Sequence, residues 1–321
     1  MPRSKQPDIQ PANSMSILVV GSVALDTVET PFGRADDALG GSATFFSSAA
    51  SLFGPVQLVG VVGDDYPLDA LSFLAERGVD LAGLEQARGE SFRWSGVYSF
   101  DLNTRETLET RLGVFADFEP KIPEAFRDAE WVFLGNIDPE LQLGVLDQVY
   151  QPRFVACDTM NLWIDIKRDR LLELLRRVDL LLVNDAEARQ LSGDHNLARA
   201  ARWIMDRGPR YLIIKKGEHG AMLFTPHSTF FAPGFPLEEV FDPTGAGDAF
   251  AGGFMGHLAQ CGRLDDGDLR RAVIYGSVLG SFAVERFSVE RFKDLSPEEI
   301  EDRVRAFREM TVFELPVSAG V

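Results

Sequence analysis

The chain has 321 residues, 45% of them hydrophobic and 25% charged, a balance that suits a globular protein with one large core or two modest ones. Its 49 Asp and Glu outweigh 32 Lys and Arg to give a formal net charge of −17, which disfavours non-specific attraction to nucleic acid or an anionic membrane. The two cysteines, Cys157 and Cys261, stand far apart without CxxC spacing, which argues against a disulfide framework or a zinc site and makes the cytosol the expected compartment.

Residues 1–15 are polar and proline-containing and lack the apolar run of a secretory signal, so they are expected to form a disordered leader to a single domain over 16–321. No stretch approaches the roughly twenty apolar residues needed to cross a bilayer. Short apolar runs at 17–20, 56–62, 131–134, 154–156, 180–183 and 211–214 predict buried strands. Between them lie segments with apolar residues at helical spacing, such as Leu171, Leu172, Leu174 and Leu175. Repeated alternation of strand and helix predicts an α/β fold with a mostly parallel sheet covered on both faces.

One segment breaks this alternation. Residues 90–100 and 106–112 carry β-formers around a turn at 101–104, which predicts a hairpin. It reads either as a lid over a site or as an edge hairpin that only extends the sheet. Its aromatic residues Phe92, Trp94 and Tyr98, with Phe45 and Phe46 earlier, could stack a planar ligand or fill the core, and core is the favoured reading for most of them. Near the C-terminus, Ser296-Pro297-Glu298-Glu299 is a helix start, with a capping hydroxyl, proline at the first helical position and a capping-box glutamate.

The chemistry is concentrated in Phe241-Asp242-Pro243-Thr244-Gly245-Ala246-Gly247-Asp248-Ala249-Phe250. Gly245, Ala246 and Gly247 leave backbone N–H groups free to converge where a helix begins, which makes an anion hole. Such a hole suits a transferring phosphoryl group, whose charge needs donors already in position. Asp248, in the first helical turn, is held ionised by the helix dipole and can accept a proton from an attacking hydroxyl. An isolated GxGD would read as an ordinary turn with a capping aspartate; the ten-residue string argues for the site.

These residues resemble the signature of the ribokinase, or PfkB-type, carbohydrate kinases. The resemblance implies a ribokinase-like three-layer α/β/α sandwich with a small β-lid, its strands expected around 26–33 and 90–113. It implies ATP and Mg2+ as cofactors, Asp248 as catalytic base and Gly245 to Gly247 as anion hole. Asp26, after the first strand, is similar to the acidic residue that grips substrate hydroxyls, although alone it would read as a turn former. Gly40-Gly41 resembles the family's Gly-Gly element, with Thr44 close by in place of the asparagine that commonly follows the glycines. Asn184-Asp185-Ala186-Glu187 resembles the NxxE motif associated with Mg2+, and its spacing fits a plain helix cap equally well. Lys215, Gly217 and Gly220 resemble the nucleotide-phosphate segment, and Ser277 an adenine contact. Asp158-Thr159-Met160-Asn161-Leu162-Trp163 resembles a family segment at the substrate-side end of a middle strand, without the arginine that some sugar-acid kinases carry there. Arg93 and Arg111, on the hairpin, are weaker candidates for meeting an anionic substrate.

The expected activity is transfer of the ATP γ-phosphoryl group to a hydroxyl of a small sugar or sugar-like substrate. A nucleoside acceptor is the alternative, and a non-catalytic metabolite-binding member is the second, disfavoured by retention of Asp248, the glycines, Asn184 and Glu187. The resemblance also brings a monovalent cation such as K+ near Asp242 and Thr244, and a homodimer through the lid in some branches. Rival classes lack their motifs. There is no GxxxxGK[ST], GxSxG or HExxH, the glycine string has Phe250 where a dinucleotide fold needs its third glycine, and the four histidines lack metal spacing.

Overall fold

The computed structural model describes residues 16–313, so the expected leader lies outside the described residues. All six apolar runs form strands, joined by seven others among those residues. In chain order the strands are β1 (Ile17–Val20), β2 (Ala24–Thr30), β3 (Gly33–Gly40), β4 (Val56–Val62), β5 (Val79–Gln86), β6 (Phe92–Tyr98) and β7 (Arg105–Arg111). They continue as β8 (Trp131–Leu134), β9 (Phe154–Asp158), β10 (Leu180–Asn184), β11 (Tyr211–Lys215), β12 (Ala221–Phe224) and β13 (Thr229–Ala232).

Nine strands make one sheet in the order β13-β12-β11-β10-β9-β8-β1-β4-β5. Every pairing from β11 to β5 is parallel, whereas β12 and β13 close one edge antiparallel. A parallel sheet must be covered on both faces, and the strands alternate accordingly. Ile17 and Val19 of β1 pack with Phe46, Phe254 and Leu279 on one side, while Leu18 and Val20 pack with Leu143, Leu174 and Leu191 on the other. The result is a three-layer α/β/α sandwich. Its C-terminal helix, Pro297–Thr311, starts with the expected reciprocal cap between Ser296 and Glu299.

The second sheet has the order β3-β2-β6-β7. The region expected around 26–33 holds a hairpin, β2 and β3, that runs on to Gly40, with Pro31 in the turn and Gly33 at φ 151°. β3 escaped notice because its sequence, GRADDALG, is short of β-formers and mostly exposed, as edge strands tend to be. On β2, Asp26, Val28 and Thr30 are buried while Glu29 is exposed, so the first three face the body of the molecule. Register carries that face across the sheet, because Asp26 pairs with Trp94 and Val28 with Gly96 on β6, and Gly96 pairs with Thr107 and Tyr98 with Arg105 on β7. Trp94, Tyr98, Thr107 and Arg105 thus look inward with Asp26. Three contacts tie this sheet to the large one. Thr30 Oγ1 donates to the Phe241 carbonyl at 2.9 Å, Thr244 Oγ1 to the Tyr98 hydroxyl at 3.2 Å, and Asn103 Nδ2 to Glu218 Oε1 at 3.3 Å.

The order reverses at β1, whose neighbours β4 and β8 begin the two arms of the sheet. Open α/β sheets leave a crevice at the carboxyl ends of the strands at such a point. Here the first turn of helix Ser42–Ala50 fills the gap between strand ends: a Cβ on Gly21 or Gly135 would lie 2.6 or 2.8 Å from Ser42 Oγ.

Candidate active site

Asp26, on the inward face of β2, is held by the two glycines at the end of β3. A Cβ on Gly40 would fall 2.1 Å from Asp26 Oδ2, and the Gly41 N–H bonds the same carboxylate. Gly41 sits at φ 90° as the residue before helix Ser42–Ala50, a backbone geometry that an L side chain would strain. Burial, the nearby Asp242 and, more weakly, Asp248 push the Asp26 carboxyl up to about 7 against the help of Gly41. Thr44 is fully buried in the first turn of that helix, with the Tyr66 hydroxyl beside its own. Tyr66 was missed by the sequence reading; it follows Asp64-Asp65 in a loop with no motif to mark it.

Across the cleft, the glycine string makes the start of helix Ala246–Cys261. Gly245 caps it at φ 73°, and a Cβ there would lie 2.2 Å from the Phe45 ring. Asp242 is buried below the loop and accepts from the Thr244 N–H at 2.9 Å and the Ser288 N–H at 3.1 Å, which fixes the loop's path. Asp248 lies in the first helical turn, partly open to the cleft. Loss of hydration, then Asp158, raise its carboxyl above the ordinary value, while Lys215 pulls it down.

The ends of β9, β10 and β11 supply the rest. Lys215 Nζ is 3.0 Å from Asp158 Oδ2, and a Cβ on Gly247 would come within 2.8 Å of the same Nζ. The ammonium therefore stands against the anion hole. Burial opposes its charge, yet Asp158, Glu187 and Asp248 overcome this and hold the lysine above its usual value. Asn184 and Glu187 form a complete capping box: Asn184 Oδ1 accepts from the Glu187 N–H at 2.8 Å, and Glu187 Oε2 from the Asn184 N–H at 2.7 Å. The cap aims Glu187 at the cleft, where burial and then Asp158 raise its carboxyl. Gly217 and Gly220 shape the turn from β11 to β12, and Gly220, at φ 88°, packs against the Ala232 carbonyl. Ser277 lies in helix Asp266–Ala283, its buried hydroxyl without a partner.

Two expectations change. Arg93 bonds Asp65 at 2.8 Å and also Asp37, and Arg111 lies 3.3 Å from Glu109, so neither is paired with the cleft carboxylates Asp26, Glu187 and Asp248. β6 register explains it, since Arg93 alternates with the inward Trp94. The hairpin arginine that faces in is Arg105, whose charge acts on Asp26, Glu187 and Asp248. Of the aromatic residues, Phe45 and Phe46 are core, Tyr98 is buried, and Phe92 stacks on Phe115 at 5.2 Å. Trp94 stays half-buried on the inward face, its Nε1 donating to Thr107 Oγ1 at 3.3 Å.

Asp158, Glu187 and Asp248 surround one ammonium, and burial first, then the charge of Asp158, raises the carboxyls of Glu187 and Asp248. A divalent cation fits such a donor set. Among the described residues no three acidic, His or Cys side chains converge as a ready-made metal cage, so protein side chains alone would supply few of the oxygen ligands that Mg2+ takes.

A parallel sheet whose strand ends meet a helix N-terminus, with a carboxylate in its first turn and a lysine at its side, is the frame of a small-molecule kinase. The model of the pfkB family carbohydrate kinases matches residues 17–294. The chain belongs to this family and is an ATP-dependent phosphotransferase with a ribokinase-like fold. It is 32% identical over 263 residues to the cytidine kinase of Thermococcus kodakarensis, covering 78% of this chain and 93% of that one. Among solved structures, the nucleoside kinase of Methanocaldococcus jannaschii superposes with a TM-score of 0.72 at 20% identity, over 91% of this chain and 98% of that one. Aminoimidazole riboside kinase from Salmonella enterica, complexed with aminoimidazole riboside and an ATP analogue, gives 0.71 at 21% identity, over 90% and 99%. No helix among the described residues is long and apolar enough to cross a membrane.

Proposed function

We propose that the chain phosphorylates a hydroxyl of a ribonucleoside or a closely similar riboside, with Asp248 as general base. The observation that carries the reading is the juxtaposition of Asp248, the Gly245 to Gly247 turn and Lys215 at one helix N-terminus. Asp248 takes the proton as the acceptor oxygen bonds the γ-phosphorus, the bond from that phosphorus to the bridging oxygen breaks, and ADP leaves. The backbone N–H groups of 245–247 and Lys215 stabilise the charge that spreads over the transferring group. Asp26 anchors the acceptor's sugar hydroxyls, with Gly40, Gly41 and Thr44 around it. Glu187 and Asn184 would hold Mg2+, which would supply positive charge against the phosphate groups. Gly217, Gly220 and Ser277 belong to the nucleotide side.

A nucleoside is preferred to a free sugar because the inward face beside Asp26 offers an indole. Trp94 pairs in register with Asp26, and its benzo ring lies over Gly96, where a Cβ would come within 2.3 Å of it. A base stacked there would leave its ribose near the carboxylate, and the cytidine kinase and riboside kinase relatives support the same acceptor class. Release of ADP from Mg-ATP should be followed across ribose, hexoses, sugar phosphates and nucleosides. Nucleosides should give the highest kcat/KM, and Trp94→Ala should raise their KM about tenfold, as loss of one stacking contact of roughly 1–3 kcal/mol implies. Higher kcat/KM on free sugars, with nucleoside KM unmoved by the substitution, would replace the nucleoside by a sugar.

A further inference from the structure

Arg105 has no role in the site as drawn so far, and its surroundings set it apart from the other cations. Lys215 is already engaged by Asp158, and Arg93 by Asp37 and Asp65. Arg105 stands on β7 opposite Tyr98, on the inward face, and among the described residues it forms no ion pair. Its guanidinium lies over the Trp94 ring, 5.3 Å from the centroid, beside the Tyr98 hydroxyl, which accepts from Thr244 Oγ1 in the glycine string. A cation is thus parked on an aromatic ring at the mouth of a cleft floored by Asp26, Glu187 and Asp248.

We propose that Arg105 is the cation that the small sheet delivers to the transferring phosphoryl group, and that the acceptor releases it by taking its place on Trp94. The inference rests on the phosphotransfer reading and deepens it. A planar base seated on the indole occupies the position of the guanidinium. An arginine displaced from one aromatic surface within reach of phosphate oxygens finds there a bidentate, charge-assisted partner that Trp94 cannot offer. Tyr98 and Thr244 keep the strand end at the glycine string, so the side chain has only to swing and the sheet need not move. The phosphoryl cation is then completed only when an acceptor is present, which protects ATP from water in its absence.

The test is steady-state kinetics of Arg105→Gln and Arg105→Lys with Mg-ATP and the nucleoside that wild-type protein uses best. Arg105→Gln should lower kcat at least thirtyfold with nucleoside KM changed less than threefold, and Arg105→Lys should recover part of the loss, because a point charge still reaches the phosphate without the bidentate geometry. Thermal unfolding and ATP affinity of both variants should match wild type, as expected for an exposed side chain. A rise in KM with kcat preserved would mean that Arg105 only braces the indole, and equal kcat in the Gln and Lys variants would mean that its charge is irrelevant; either overturns the proposal. Failure of wild-type protein to transfer phosphate to any acceptor would instead overturn the phosphotransfer reading itself.

Discussion

Asp248→Asn is expected to lower kcat at least about a hundredfold while ATP binding survives, and to raise the melting temperature of the nucleotide-free protein at pH 8. The first effect follows from removing the only proton acceptor in the first turn of helix Ala246–Cys261 while keeping the shape of the side chain; general-base contributions of this kind are about 10²–10⁴-fold. The second follows from linkage. Dehydration in the cleft and Asp158 raise the Asp248 carboxyl in the folded state, so folding takes up a proton between the ordinary carboxylate range and the raised value. Stability therefore falls as pH rises through that window, and above it the folded protein carries the full unfavourable charge. Asparagine removes it. A gain on the order of 1 kcal/mol would shift melting by about 2–4 °C. Scanning unfolding at pH 8 and pH 4 checks the sign: the gap should be present at the first and close at the second. Melting of the variant below wild type at pH 8 would mark Asp248 as a stabilising helix cap, and near-normal turnover would remove it from the chemistry.

The same imbalance governs the pH profile of the wild type. In the proposed roles of acceptor anchor and base, Asp26, at about 7, and Asp248 act in their ionised forms, so kcat/KM should fall as pH drops below neutrality, well above the range of ordinary carboxylates. A limb near pH 4 would show that the carboxyls are not perturbed in the free enzyme.

The parts of this site that lie within one short string could be read from the sequence, and those that depend on register could not. Gly245 to Asp248 carry their geometry locally, in a positive φ and a helix start, and the central strands announced themselves as continuous apolar runs because both faces are buried. Asn184 and Glu187 were equally consistent with a cap and with a metal site, and the capping box formed by both shows why: the cap is what orients the glutamate. Asp158 and Lys215 meet only because β9, β10 and β11 are neighbours, a fact of topology that no spacing of 57 residues encodes. Arg105 was passed over for Arg93 and Arg111 because facing depends on parity along a strand, and the shift between Ser95 and Gly96 changes that parity on β7. β3 and β5 were missed as edges, where half-exposed, weakly patterned strands resemble loops.

Gly40→Ala should disable acceptor binding without unfolding the protein, because the space a methyl group would take is already filled by the catalytic cleft's anchoring carboxylate. The added Cβ would lie 2.1 Å from Asp26 Oδ2 and 2.2 Å from its Cγ, distances that no relaxation of a few tenths of an ångström relieves. Backbone conformation is not the obstacle, since Gly40 is absent from the positive-φ positions. Asp26 must instead rotate, and in doing so it leaves the Gly41 N–H that favours its charged form. A buried carboxylate without that donor is either protonated or misplaced, and neither state accepts hydrogen bonds from two sugar hydroxyls in the required geometry. Hydrogen bonds to a charged group contribute about 1.5–3 kcal/mol each, so losing one or two predicts a fall in kcat/KM of roughly ten- to ten-thousandfold. The fall should appear mainly in the acceptor KM. ATP affinity should hold, because Lys215, Gly247 and the helix start lie across the cleft from β3. Isothermal titration with nucleotide and with acceptor separates the two: loss of both would indicate a general collapse of the cleft, and loss of neither would remove Asp26 from acceptor binding.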